Sequence, residues 1–269
     1  MTYKKQNALF IVCAYAFFWL VIVIAGVFVM TGVIPTDGVL MEIGVIIGSW
    51  TPTVALFFLF KKIYPDSTIK EFYKNAFKER LNWKLLLCLT VVLLLSLVCS
   101  VGIVAFSKGV SLLSLFDLTL QTMGLGFVFT LLGVTGEESG WRGFLQPSLE
   151  KKYGVIKSSV IIGVIWGFWH APVWFMQELG GWDLIQYILL FLIYIISGSI
   201  IIGICYNHCK NLIVPIWMHF LCSYSLVPIL VDSLDISWLA MFYALAAIGY
   251  VVWHKSRKNV LCDRHTNDA

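Results

Sequence analysis

Runs of about 20 predominantly apolar residues recur along almost the whole chain, and few folds tolerate them. A helix rises ~1.5 Å per residue, so each run is long enough to cross roughly 30 Å of hydrocarbon. The expected spans lie at about 8–30, 40–60, 85–106, 118–145, 158–176, 183–204, 211–231 and 237–254. None shows the ten-residue alternation of a barrel strand. The predicted fold class is therefore all-α, a polytopic membrane protein with about eight transmembrane helices. Composition agrees: 59% of the 269 residues are hydrophobic and only 13% are charged, against about 25% charged in typical soluble domains. The first run is not read as a signal peptide. It is long, residues 31–39 lack a small-residue cleavage pattern, and further spans follow.

No internal repeat and no separate soluble domain is visible. The expected organisation is N-terminal transmembrane helices over 1–117, core helices over 118–254 and a polar tail at 255–269. In the connection 61–84, Ile69, Phe72, Tyr73, Ala76 and Phe77 fall at helical spacing, with Lys70, Glu71, Lys74 and Lys78 between them. That pattern predicts a helix lying in the membrane interface, with anchoring as its role and substrate guidance as the alternative. Eight spans place both termini on one side. With that side in the cytoplasm, 18 of the 19 Lys and Arg residues lie inside and only Lys108 lies outside, as the positive-inside rule requires. The net charge of +4 is thus an orientation signal in the plasma membrane, with membrane lipids as partners, and not a nucleic-acid footprint. The seven cysteines are scattered without a CxxC pair and read as small apolar fillers. Nothing here sets an oligomeric state.

The ionisable residues inside the spans are few: Glu42, Glu137, Glu138, Arg142, His170 and His219. Each is costly in a bilayer and points to function by default. Glu42 is two residues into its span, can reach the interface and is set aside. Glu137 and His219 lie about 12 Å from the cytoplasmic ends of their spans and His170 about 18 Å, by helical rise. Three helices thus bring polar groups to a similar level, and a pocket between them is expected. Glu138 and Arg142 are four positions apart and can pair on one helix face. Glu137 points roughly 100° away. One acid neutralises a buried arginine and the other is available. Gly133, Gly136 and Gly140 allow neighbouring helices to approach closely. Pro172 is expected to kink the helix beside His170. Trp166 precedes His170 by one turn, and Pro215 and Ser223 flank His219 on one stripe.

A carboxylate withdrawn from water, next to a histidine, can take a proton from water. A second histidine can donate to the oxyanion formed when that water attacks a peptide carbonyl. The alternative use of Glu137, His170 and His219 is as a zinc set. A structural ion cluster that locks helices together is the third reading. There is no HExxH, no GxSxG around Ser139 and no aspartate inside a span, which removes the zincin, serine and aspartyl patterns.

At these residues the sequence resembles the CPBP membrane proteins, the CAAX protease and bacteriocin-processing or Abi family. Its EExxxR motif matches Glu137, Glu138 and Arg142, and the context "GEESGWRGFLQPSL" resembles bacterial members. The FxxxH motif aligns with Trp166 and His170, with Trp in place of Phe. The HxxxN or HxxxD motif aligns with His219 and ends in Ser223. The resemblance covers roughly residues 118–225. It implies an intramembrane glutamate-dependent endopeptidase acting on a membrane-associated peptide or protein. Glu137 and His170 would activate the water, His219 would stabilise the oxyanion and Ser223 would stand in the place of its Asn partner. Glu138, Arg142 and Trp166 would support them. No cofactor is implied, with zinc as the alternative. Bacterial members are linked to bacteriocin immunity and peptide maturation, so a prenylated substrate is not expected. A serine hydroxyl is shorter than an asparagine amide, and losing one oxyanion donor costs about 10²–10³ in rate. Ser223 therefore keeps a second reading open, a non-catalytic scaffold or immunity protein that binds in the same pocket. A transporter is disfavoured because paired broken helices and repeat symmetry are missing.

Overall fold

The computed structural model describes residues 2–33, 35, 39–176, 179–232, 235 and 237–267, except the side chains of Val39 and of residues beyond Arg257. Helices dominate it: α1 (Tyr3–Met30), α2 (Val39–Ser49), α3 (Thr51–Phe58), α4 (Phe60–Ile63), α5 (Ile69–Ala76) and α6 (Trp83–Lys108) form the first part. They are followed by α7 (Leu120–Gly140), α8 (Gln146–Trp169), α9 (Ala171–Trp174), α10 (Gly181–Cys209), α11 (Ile213–Tyr224) and α12 (Ser237–Asn267). Among the described residues the only β pairing is one antiparallel bridge, Phe116 to Ile229.

Many large apolar side chains face outward, among them Val12, Val23, Leu87, Leu95, Leu189 and Ile248. In water so much exposed apolar surface would drive association, and in a bilayer it is the lipid-facing surface. The chain is a multi-pass membrane protein. By length and composition four helices qualify as spans: Tyr3–Met30, Trp83–Lys108, Gly181–Cys209 and Ser237–Arg257. A fifth is added if Leu40–Ser49 and Thr51–Phe58, bent by 43° at Trp50, count as one. The expected count of eight is not reached by that measure.

Three expected spans also differ in shape. The run at 118–145 and the run at 158–176 are parts of a longer helical path. α7 passes through a single π turn at Trp141–Leu145 into α8, and the path breaks at Gly154, whose φ of 70° suits a residue without Cβ. α8 then stops at Trp169, where the His170 N–H bonds back to the Gly167 carbonyl. Pro172 thus ends the helix and opens α9, a stronger effect than the expected kink. The run at 211–231 is helical only to Tyr224. The apolar remainder, with Pro228, turns and bonds through Asp117 N to Pro228 O and Leu230 N to Leu115 O.

The connection at 61–84 contains the expected helix, α5. Thr68 caps it by accepting from Glu71 N, while the Glu71 carboxylate accepts from Thr68 N, a reciprocal capping box. The N-terminal segment, residues 61–62 and the start of α8 meet at one end of the molecule. Gln6 donates to the Lys62 carbonyl, Ser148 to Asn7, and Lys151 sits over the Tyr3 ring. Elsewhere Lys108 pairs with Asp232 and Asp235.

Two apolar cores flank α10. One is aliphatic, with Leu89, Leu93, Val101, Ile201, Met218 and Tyr243 from α6, α10, α11 and α12. The other is aromatic, with Phe10, Phe18, Trp141, Phe144, Trp166 and Trp169 from α1, the π turn and α8. The small residues Ser159, Gly163 and Gly167 recur every fourth position on α8 and let α10 approach. A Cβ on Gly163 would lie 2.8 Å from Ile196 Cα.

Candidate active site

The break between α2 and α3 fixes how deep the EE motif lies. Trp50, at that break, donates from its indole to the Leu132 carbonyl, and Thr53 donates to the Gly136 carbonyl. A Cβ on Gly136 would meet Trp50 at 2.5 Å and one on Gly140 would meet the Pro52 backbone at 2.8 Å. The expected close approach through Gly136 and Gly140 is therefore real, and it is made by a broken helix. Gly133 faces Ser49 at ordinary contact distance. From the other side Tyr73 of α5 shares a 3.0 Å hydrogen bond with Ser139, so α5 docks on the motif itself.

The two acids have different partners. Glu138 and Arg142 are fully buried, and Arg142 donates to Glu138 Oε1 at 2.9 Å. Arg142 also lies over the Trp166 ring, 4.7 Å from its centroid, and reaches Ser199 Oγ at 3.4 Å. Ser199 in turn donates to the Ser159 carbonyl. Glu137, 4% exposed, accepts a 2.6 Å hydrogen bond at Oε2 from the Trp166 indole. That leaves Oε1 for another donor.

The histidines are held in defined tautomers. His170 Nδ1 lies 2.8 Å from the Trp166 carbonyl. A carbonyl only accepts, so Nδ1 carries the hydrogen and, in the neutral ring, Nε2 keeps its lone pair. His219 Nδ1 lies 2.9 Å from Glu138 Oε1. The carboxylate, already paired with Arg142, accepts there, so Nδ1 is again the donor. The Trp166 ring packs edge-on to His219 at 4.8 Å and lies 5.8 Å from His170. Trp166 thus touches both histidines, the arginine of the buried ion pair and the free acid's side chain.

Glu137, His170, His219 and Ser223 line one cavity of about 570 Å³ between α2, α7 and α11. The expected convergence of three helices on one pocket is what the structure has. Among the described residues no group of three or more His, Cys, Asp or Glu side chains is arranged to hold a metal ion. Nδ1 of His219 and Oε2 of Glu137 are engaged by protein partners.

Sequence reasoning missed three participants. It gave Glu138 only to Arg142, whereas the same oxygen also holds His219. It did not find Ser199, whose signal is the small-residue register shared by α8 and α10. It set Glu42 aside, yet Glu42 lines the same cavity along with Gln121 and Thr130. Depth along its own helix said nothing of what α7 places opposite.

A family model described as type II CAAX prenyl endopeptidase, Rce1-like, matches residues 119–225, from the cap of α7 to just past the end of α11. Every residue of the cavity constellation falls inside that match. The CAAX prenyl protease 2 of Methanococcus maripaludis is 29% identical over 213 residues, covering 75% of this chain and 78% of the relative. Over the segment that carries the constellation the chain is similar to the CAAX prenyl proteases, and that similarity points to a membrane hydrolase. The segment before residue 119, which supplies α2, α3 and α5 around the motif, lies outside the family match.

Proposed function

We propose that this protein is an intramembrane endopeptidase that cleaves a membrane-associated peptide or protein. The observation that carries the reading is the meeting of Glu137, His170 and His219 on one cavity, with Glu138 holding His219 from behind. A water in that cavity donates to Glu137 Oε1 and to the Nε2 lone pair of His170. As its oxygen bonds to the scissile carbonyl carbon, Glu137 takes the proton and later delivers it to the departing amine. The carbonyl oxygen becomes an oxyanion beside His219. Glu138 holds Nδ1 of His219, so the other ring nitrogen, Nε2, is the one left to hydrogen-bond the oxyanion. Ser223, one turn on, is the second polar group at that wall.

The cytoplasmic orientation of both termini, eight passes and a plasma-membrane location belong to the same proposal. They are supported by the basic residues gathered at the end where the N-terminus, residues 61–62 and the start of α8 meet. Because the similar archaeal protein is named a prenyl protease, a prenylated tail heads the substrates to be tried, ahead of bacteriocin-type peptides. A second reading, a binding scaffold or immunity protein, is favoured by Ser223, which gives the oxyanion a shorter donor than Asn.

Purified wild-type protein and the Glu137→Ala and His170→Ala variants are to be assayed on prenylated and unprenylated membrane-associated peptides. Each substitution is expected to lower kcat by about 10²–10⁴-fold. If both variants retain wild-type turnover, the peptidase reading is wrong. If the wild type binds these peptides without cleaving them, the scaffold reading replaces it.

A further inference from the structure

A second cavity, of about 620 Å³, lies between the start of α6, the end of α10 and α12. It shares no residue with the catalytic cavity. α6 leaves the end of the molecule that α12 approaches, so the two helices form opposite walls. Its polarity is graded along the helix axes. Lys84, His208 and Arg257 line one end, and Leu85, Val92, Ala246 and Gly249 line the remainder. From Lys84 to Val92 is about 12 Å, and from Arg257 to Ala246 about 16 Å, at the helical rise.

Between the two ends stand Tyr250 and Trp253. Aromatic residues of this kind sit at headgroup level in membrane proteins. The Trp253 ring lies tilted against His208, centroids 4.5 Å apart, and carries the Arg257 guanidinium 5.3 Å from its ring. Among the described residues no carboxylate lines the cavity. Its cationic end is thus uncompensated by the walls, whereas the buried arginine of the active site is paired. The apolar end is open as well: a Cβ added to Gly249 would meet nothing within 4 Å.

We propose that this groove binds an anionic phospholipid, with the phosphate at Lys84 and Arg257 and an acyl chain along Leu85, Val92 and Gly249. A basic opening between helices at the membrane surface selects anionic headgroups. The grading from cation through aromatic belt to aliphatic wall, parallel to the helices, matches a lipid lying in its own leaflet. A soluble anion would use only the first part. A cavity of this size falls within the range of ligand pockets, about 300–1,000 Å³.

The test uses the full chain in detergent micelles, with phosphatidylglycerol, phosphatidylcholine of the same acyl chains, or inorganic phosphate added separately. Phosphatidylglycerol alone is expected to raise the melting temperature and to appear as a bound adduct in native mass spectrometry. Lys84→Ala with Arg257→Ala is expected to weaken that binding about tenfold or more. Gly249→Leu, which fills the acyl slot and leaves the charges in place, is expected to weaken it independently. Equal effects of phosphatidylcholine, a shift produced by phosphate alone, or retention of the adduct in all of these variants would overturn the proposal.

Discussion

The two cavities are nearly equal in volume and opposite in how they handle charge. Behind the wall of the first cavity the buried ions answer one another inside the protein. Arg142 is paired with Glu138, Glu138 with His219, and Glu137 accepts from Trp166. In the basic groove Lys84 and Arg257 line a wall with no facing acid among the described residues. The difference follows from depth. A charge far from water is tolerated only when paired and hydrogen-bonded, and a charge at the headgroup level can be left for an external anion. The first arrangement fixes rotamers for chemistry, and the second leaves an opening for a ligand.

The most direct way to break the contrast is to leave the deep site unbalanced. Arg142→Met keeps bulk but leaves Glu138 a buried carboxylate without its guanidinium partner. Loss of one partner of such a pair is expected to cost about 3–5 kcal/mol. In micelles it should lower the melting temperature on the order of 10 °C. The double variant Arg142→Met with Glu138→Leu removes both charges and should recover part of that loss, measured on the same melting curve. Recovery of nothing would mean that packing of Arg142 on Trp166, and not charge pairing, holds the site.

A smaller change sharpens the catalytic side. Ser223→Asn restores the longer amide one turn after His219. Peptide turnover is expected to rise, by up to about 10²-fold if a missing oxyanion donor limits the rate, with KM little altered. An unchanged kcat would remove Ser223 from the oxyanion role.

The smallest effect belongs to a region outside both cavities. Glu71 is exposed, and its hydrogen bonds to Thr68 hold its carboxyl below the usual glutamate value. A lowered folded value means that the contribution is complete above the unfolded pKa and is lost as pH falls through the folded one. Fraying of α5, read from hydrogen exchange of its amides, should therefore grow only below about pH 4. Glu71→Gln should remove that pH dependence while leaving the melting temperature almost unchanged.

Much of this was legible in the residues. The i,i+4 spacing of Glu138 and Arg142 determined their pairing, and the glycine spacing of 136 and 140 foretold a close neighbour. The helix at α5 followed from its periodicity. Helix ends were less legible because hydropathy does not distinguish a span from an apolar turn. Residues 225–231 are as apolar as α11 itself, yet they turn. The double use of Glu138 was hidden for another reason. It depends on where α11 crosses α7, a tertiary fact that no local spacing contains. The break at Trp50 was hidden similarly, since its two side-chain hydrogen bonds go to carbonyls about 80 residues away.

The brevity of α11 has a consequence for the surrounding bilayer. Its 12 residues rise about 18 Å, against roughly 30 Å of hydrocarbon, whereas the 28 residues of α1 exceed that thickness. The backbone beyond Tyr224 satisfies its hydrogen bonds against residues 115–117, so it can sit at membrane depth without facing lipid. Mismatch of this size is relieved by thinning the leaflet beside the short helix. The protein would then carry its own dimple in the membrane, on the flank that bears His219 and Ser223. The column of water needed to hydrate a submerged peptide bond would be shortest there.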